Sequence, residues 1–482
     1  MADGTVRDDV EEIEQLEARA AQLDERKLVR KLDLHIIPLI LMLYLFSFLD
    51  RVNIGNARFY KLESDLGLSS TQFQIAVSIF FVPYLLFEVP SNLVLKLFTP
   101  RRWLAALALA WGLVATLSGL VQSYAGLLAC RLVLGVVEAG LFPGLTVYLT
   151  LFYTRHELAR RVGYLFVSAA VAGAVGGLLA FGIGHLDGVR GMSGWRWILI
   201  LEGIPSALLG VATYVWLPND PATARFLGDA ERALMELRHR REYGNTQSSR
   251  EFSARDMRTA FLDWKVWAFC VAQFGVDTML YGYSTFLPTI IKGLGKWTPA
   301  QVQLLTIPCY FVGASTYMAI ATVSDRTQKR GLFCVVFGIL SVVGYAVLLS
   351  NVSSGVHYFA CFLVAAGLYV VVGLPLAWLP NNSPRYGKRT TATGLQLTIG
   401  NASGIMSSFI YPTLDAPRFI RGHAVTLSMV SMGTLIYGLL WAWYRGENRR
   451  RAAGFVKEEY KTMSDDELRE LGDESPRFTY TI

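Results

Sequence analysis

Two charges stand where an apolar run should carry none. Arg131 and Glu138 lie in a hydrophobic stretch from about Tyr124 to Phe152, long enough to cross a bilayer. They are seven residues apart, nearly two helical turns, so both look out from one face, roughly 10 Å apart along the axis. An ionisable group at the centre of a bilayer costs about 2.5–3.5 kcal/mol on insertion scales. Such a pair persists where it faces a protein-lined polar cavity, or where it forms a buried structural ion pair. The chemistry open to the pair is anion exchange. Arginine's planar fork can bond both oxygens of a carboxylate. A carboxylate beside the arginine competes for the same cation until a proton neutralises it. Other apolar runs carry further polar groups: Asp50-Arg51 in the first, Glu88 in the second, Gln273 and Asp277 in the seventh, Gln396 and Asn401 in the eleventh.

The elements that would position these residues are long helices. Of 482 residues, 53% are hydrophobic and 17% charged, against about 25% charged in an average soluble domain. Repeated long apolar runs predict an all-α membrane protein, since the short alternating segments of a transmembrane barrel are absent. Twelve spans are expected in two groups of six. Residues 35–217 form the first bundle, 218–263 a polar linker, and 264–444 the second bundle. Residues 1–34 and 445–482 are charged tails. Short loops at Lys96/Arg101/Arg102, Arg155/Arg160/Arg161, Arg326/Lys329/Arg330 and Arg385/Lys388/Arg389 all fall on one side, which places that side and both tails in the cytosol. The net charge of +7 therefore belongs to membrane topology and not to nucleic-acid binding. Glycines at 135, 140 and 144, and the Gly173/Gly177 pair at GxxxG spacing, predict close helix approaches. The five cysteines form no Cys-x-x-Cys pair, so no metal site or disulfide framework is expected, and no cofactor.

Twelve spans with basic loops on one side resemble the major facilitator superfamily. Asp325-Arg326 followed by Lys329-Arg330 is similar to its signature loop, although Ala321 and Gln328 replace usual glycines. A finer resemblance runs from about residue 35 to 445. Leu49-Asp50-Arg51-Val-Asn53, Phe87-Glu88-Val-Pro-Ser-Asn92, Arg131-x3-Gly135-x2-Glu138-Ala-Gly-x-Phe-Pro-Gly144, Gly194-Trp-Arg-Trp197, Glu202-Gly203, Gly400-Asn401 and Tyr411-Pro-x2-Asp415-Ala-Pro-Arg418 occur in order. Together they resemble the fungal allantoate-permease-like branch of the anion:cation symporters. That resemblance implies uptake of a small carboxylate, vitamin-like compound or ureide with protons, and charge-carrying roles for Asp50, Arg51, Arg131 and Glu138. It implies no role for Asp277.

The bilayer argument and the resemblance select the same four charges. Arg131, then Arg51, are the expected anion-binding groups, and Asp50 and Glu138 the expected proton carriers. Gln396, Asn401, Tyr281 and Trp378 are candidate substrate-lining residues, as are Tyr44 and Tyr84; ordinary helix packing and interhelical hydrogen bonding are the alternatives. Glu88, Asp325 and Arg326 are expected to latch conformations. A monomer in the plasma membrane is expected, with membrane lipid, a small organic anion and the proton as its partners. Two other functions compete. One is an efflux antiporter for a secondary metabolite or drug. The other is an intramembrane hydrolase, from the string Gly191-Met-Ser193-Gly194, but no histidine lies in a span near Ser193 to act as its base.

Overall fold

The computed structural model describes residues 23–243 and 254–482, apart from 455–459, 461–462, 464–466 and 469–470. Most of the expected amino-terminal tail therefore lies outside the described residues, with parts of the linker and of the carboxy-terminal tail. The described chain is helical from end to end. Its helices are α1 (Glu25–Ala57), α2 (Ser70–Ser78), α3 (Phe81–Leu97), α4 (Pro100–Ser118), α5 (Tyr124–Glu138), α6 (Leu141–Thr150), α7 (Arg155–Gly184) and α8 (Gly194–Trp216). After these come α9 (Asp229–Tyr243) and α10 (Ala254–Leu262) in the linker. The second half holds α11 (Trp264–Gly293), α12 (Pro299–Thr327), α13 (Arg330–Leu349), α14 (Ser354–Gly373), α15 (Pro375–Asn381), α16 (Tyr386–Ser407) and α17 (Ile420–Ala452).

A helix stands at each of the twelve expected spans, with α2–α3, α5–α6 and α14–α15 each making one broken pass. Nine helical stretches among the described residues are long and apolar enough to cross a membrane. Helices α4, α11 and α16 stand at the other three expected spans. Sequence signals set the ends. Asp24 accepts from the Arg26 N–H at the start of α1, and Ser69 and Thr298 form capping boxes at α2 and α12, satisfying amides a helix start leaves open. Pro100 and Pro299 sit in the first turns of α4 and α12, where a missing N–H costs nothing.

Two of the expected close approaches carry the architecture. A Cβ at Gly135 would stand 2.3 Å from the Phe80 carbonyl oxygen, so α5 rests directly on the break between α2 and α3. On α7, Cβ atoms at Gly173 and Gly177 would stand 2.5 Å from the Tyr310 ring and 2.8 Å from Thr306 Oγ1. The GxxxG face of the first half thus meets α12 of the second.

Charged clamps fasten the basic-loop end of each half. Arg161 pairs with Asp33 at 2.6 Å, Lys31 with Glu231 at 2.7 Å and Arg238 with Glu157 at 2.5 Å, tying linker helix α9 to α1 and α7. Arg385 pairs with Asp256 at 2.8 Å, tying α10 to the start of α16. Residues 471–482 dock against the second half. Asp473 receives Lys265 at 2.6 Å and Lys388 at 2.7 Å, both buried. The Thr481 carbonyl accepts from Trp378 Nε1 at 2.8 Å, and the Tyr480 ring lies 4.6 Å from that of Tyr444.

Candidate functional site

The intramembrane charges come together where α1 meets α5. Glu138 is the last residue of α5, where the pass breaks at Ala139-Gly140, and it is 1% exposed. Its Oε1 accepts from Arg51 Nε of α1 at 2.9 Å and from the Ser47 hydroxyl one turn earlier. Arg51 lies in an aromatic box, its guanidinium carbon 4.7 Å from the Tyr84 ring centre and 5.4 Å from that of Phe80. Asp50, 8% exposed, turns to the other side of α1 and accepts from Trp111 Nε1 of α4 and from Ser206 Oγ of α8 at 3.5 Å. Arg131, 5% exposed, sits within electrostatic reach of both Asp50 and Glu138, and makes no ion pair among the described residues.

The pairing differs from what one helix face implies. Arg131 and Glu138 share the face, but Glu138 spends its charge on Arg51, because α1 brings a guanidinium to 2.9 Å. Arg131 is left to line a cavity. That cavity is bounded by both arginines, Phe48, Phe81, Tyr281 and Thr285, and measures about 20 Å³, room for about one water and not for an organic anion. The two halves touch beyond it, at the end opposite the basic loops. A Cβ at Gly55 would stand 2.4 Å from the Thr285 carbonyl oxygen, and Gln303 Nε2 donates to Asn56 Oδ1 at 3.2 Å.

The remaining predicted residues divide. Tyr281 lines the cavity, and its hydroxyl donates to Asn401 Oδ1 at 2.6 Å. Glu88 Oε2 accepts from Thr398 Oγ1 of α16 at 3.4 Å, a contact between the halves. Gln396 turns away from the arginines and donates to Gln273 Oε1 at 3.1 Å. Trp378 is fully buried at the basic-loop end among Phe269, Tyr437 and Tyr444, with its N–H given to the Thr481 carbonyl. Asp325 pairs with Arg330 at 3.1 Å, joining α12 to α13 of the same half, and Arg326 is exposed. Ser193 donates to Asp65 and precedes the first turn of α8, tying a loop with no histidine partner.

Sequence reasoning passed over Glu202. It is 1% exposed on α8, has both carboxyl oxygens without a partner, and lies within electrostatic reach of Asp50. The signal was present, an acid inside an apolar run. Five acids (Asp50, Glu88, Glu138, Glu202 and Asp277) are thus buried in the spans together with two guanidinium groups, Arg51 and Arg131. Full ionisation would leave three negative charges uncompensated in a dry interior, which is prohibitive.

Residues 40–408 match the sequence profile of the Major Facilitator Superfamily. The chain belongs to this superfamily. It is 40% identical to an uncharacterised transporter of Schizosaccharomyces pombe over 94% of this chain and 90% of that one. It is 34% identical to the MFS-type transporter cnsO of Penicillium expansum, over 95% and 90% of the two chains, and 32% identical to the major facilitator-type transporter hxnP of Emericella nidulans, over 95% and 93%. Among solved structures, a bacterial homologue of the human lysosomal transporter Spinster, inward-facing and unoccupied, superposes with a TM-score of 0.67. That match is 15% identical over 84% of this chain and 96% of the other, a likeness of fold. The chain is accordingly a membrane transporter for small molecules and not an enzyme, which removes the hydrolase alternative. The cavity of this major facilitator lies between its halves, bounded by α1, α2, α3 and α5 on one side and α11 on the other.

Proposed function

We propose that this transporter takes up a small organic anion together with protons, as the allantoate-permease-like symporters it resembles do. In this reading the bundles 35–217 and 264–444 rock about a site halfway through the membrane. The protein lies in the plasma membrane with its basic loops and tails in the cytosol. The observation that carries the reading is the 2.9 Å pair of Arg51 with Glu138 beside an unengaged Arg131. Arg131 supplies a standing positive charge. Arg51 is the second clamp, held in reserve by Glu138.

A proton on Glu138 removes the competitor and frees Arg51 for the substrate carboxylate. A proton on Asp50 does the same for the field at Arg131. Anion and proton then load together, and neither charge crosses alone. The small cavity fits a site closed on itself between loading events, and the outer contacts Gly55–Thr285 and Asn56–Gln303 are those that must part to admit substrate from outside. Glu88 with Thr398 bridges the halves and serves as a latch.

The test is uptake of a panel of labelled carboxylic acids into cells at acidic and neutral pH, with a protonophore control. Acid-stimulated, protonophore-sensitive accumulation of at least one acid is the expected result. Export of a preloaded compound against an inward proton gradient, with no carboxylate uptake, would overturn the reading in favour of an antiporter.

A further inference from the structure

The exchange at Arg51 and Arg131 leaves one buried acid of the second half unused. Asp277 lies in α11, 6% exposed. Its Oδ1 accepts from Gln273 Nε2 at 2.8 Å. Gln273 Oε1 accepts in turn from Gln396 Nε2 at 3.1 Å and from the Tyr437 hydroxyl at 3.0 Å. Gln396 Oε1, in the same cluster, is buried with no partner. Helix α16 is cut to fit: a Cβ at Gly400 would stand 2.3 Å from Asp277 Oδ2. The next residue, Asn401, holds the Tyr281 hydroxyl at the cavity wall.

The ionisable groups facing Asp277 are three tyrosines: Tyr281 of its own helix, Tyr437 of α17 and Tyr44 of α1. Helix α16 presents amides and a glycine, and α14 presents the Val372 carbonyl, to which Gln273 also donates at 3.4 Å. Among the described residues no cation pairs with Asp277. A charged carboxylate here has one neutral donor, so the protonated acid is the form the site holds comfortably. The orphaned Gln396 oxygen is an acceptor in the same cluster of the kind such an acid needs.

We propose that Asp277 is a proton-binding residue of the second half, loaded before the anion and emptied after it leaves. This rests on the reading of the site as an anion site. A negative Asp277 repels an anion at the arginines, and a neutral one does not. Tyr44 lies within electrostatic reach of both Glu138 and Asp277, one acid from each half. The balance is simple: Asp277 takes one proton from the side that delivers substrate and returns it to the side that receives it. Its proton adds one to those that Glu138 and Asp50 carry with the anion.

The first measurement needs no substrate. The full chain is reconstituted in lipid and its infrared difference spectrum taken on titration between about pH 8 and pH 5. A protonated-carboxyl carbonyl band is expected in the unaltered protein, lost in Asp277→Asn and displaced in Asp277→Glu. Spectra unchanged by both substitutions would overturn the proposal, and if the asparagine variant fails to fold, an undisplaced band in the glutamate variant overturns it alone. The second measurement is accumulation in vesicles under a gradient of one pH unit. Each coupled proton multiplies accumulation about tenfold under that gradient, so Asp277→Asn should fall about tenfold. Proton-driven accumulation at the unaltered level in this variant sinks Asp277 while leaving the anion reading intact. Absence of any anion uptake by the unaltered protein sinks the anion reading, and the infrared result then decides Asp277 by itself.

Discussion

Glu138→Gln separates the two functions assigned to the Arg51–Glu138 pair. The pair is 2.9 Å long, with side chains 10% and 2% exposed, so almost no solvent screens it. Removing one partner of a buried pair costs about 3–5 kcal/mol. The amide keeps an oxygen for the Ser47 hydroxyl and for Arg51 Nε, so the loss in stability should sit at the lower end. The effect on transport is larger and of a different kind. Glutamine cannot compete for Arg51 as a charge and cannot carry a proton. The variant should bind the anion with a weaker requirement for acid, and should exchange labelled for unlabelled substrate across vesicles equilibrated at one pH. It should lose one coupled proton, about a tenfold loss of accumulation per pH unit of gradient. The assay is a pair of measurements on the same vesicles, counterflow without a gradient and net accumulation with one. Accumulation by Glu138→Gln at the full level refutes the argument. So does loss of counterflow in a folded variant, because it makes Glu138 a substrate ligand instead of a competitor.

Other outcomes follow from the same geometry. Arg131→Lys should weaken anion binding at least tenfold in a competition assay while leaving the melting temperature nearly unchanged, since a point charge cannot replace a planar fork. Gly173→Leu should block folding or trap one state, because the Tyr310 ring occupies the space needed; cross-linking between α7 and α12 would show which. Burial acts to raise the pKa of Asp473, but Lys265 and Lys388 outweigh it and hold the carboxyl below its usual value. Its contribution is therefore fully present above the unfolded carboxylate range and is lost as pH falls through the lower folded value. Residues 471–482 should stay docked at neutral pH and release below about pH 4, read by fluorescence of Trp378 and Trp443, and Asp473→Asn should release them at neutral pH.

Much of this molecule is written in local patterns. The spacing of Arg131 and Glu138, the apolar runs, the basic loops and the GxxxG pair each depend on one helix or its immediate ends. A helix shows its periodicity and depth without reference to its neighbours. The passes, the buried charges and the tight contacts of α5 and α7 were therefore legible, and Glu202 was legible by the same rule. What a side chain bonds to depends on which helices meet, at what rotation, and where they break. The sequence put Glu138 on one face with Arg131, but the ending of α5 at Glu138 and the approach of α1 gave it to Arg51. Trp378 has the composition of a cavity wall, yet residues 471–482, about a hundred positions later, claim its N–H. Gln396 and Asp277 become one cluster only because α11, α16 and α17 converge on Gln273. Amino-acid order settled where charge is buried in this protein, and tertiary packing alone settled which charge answers which.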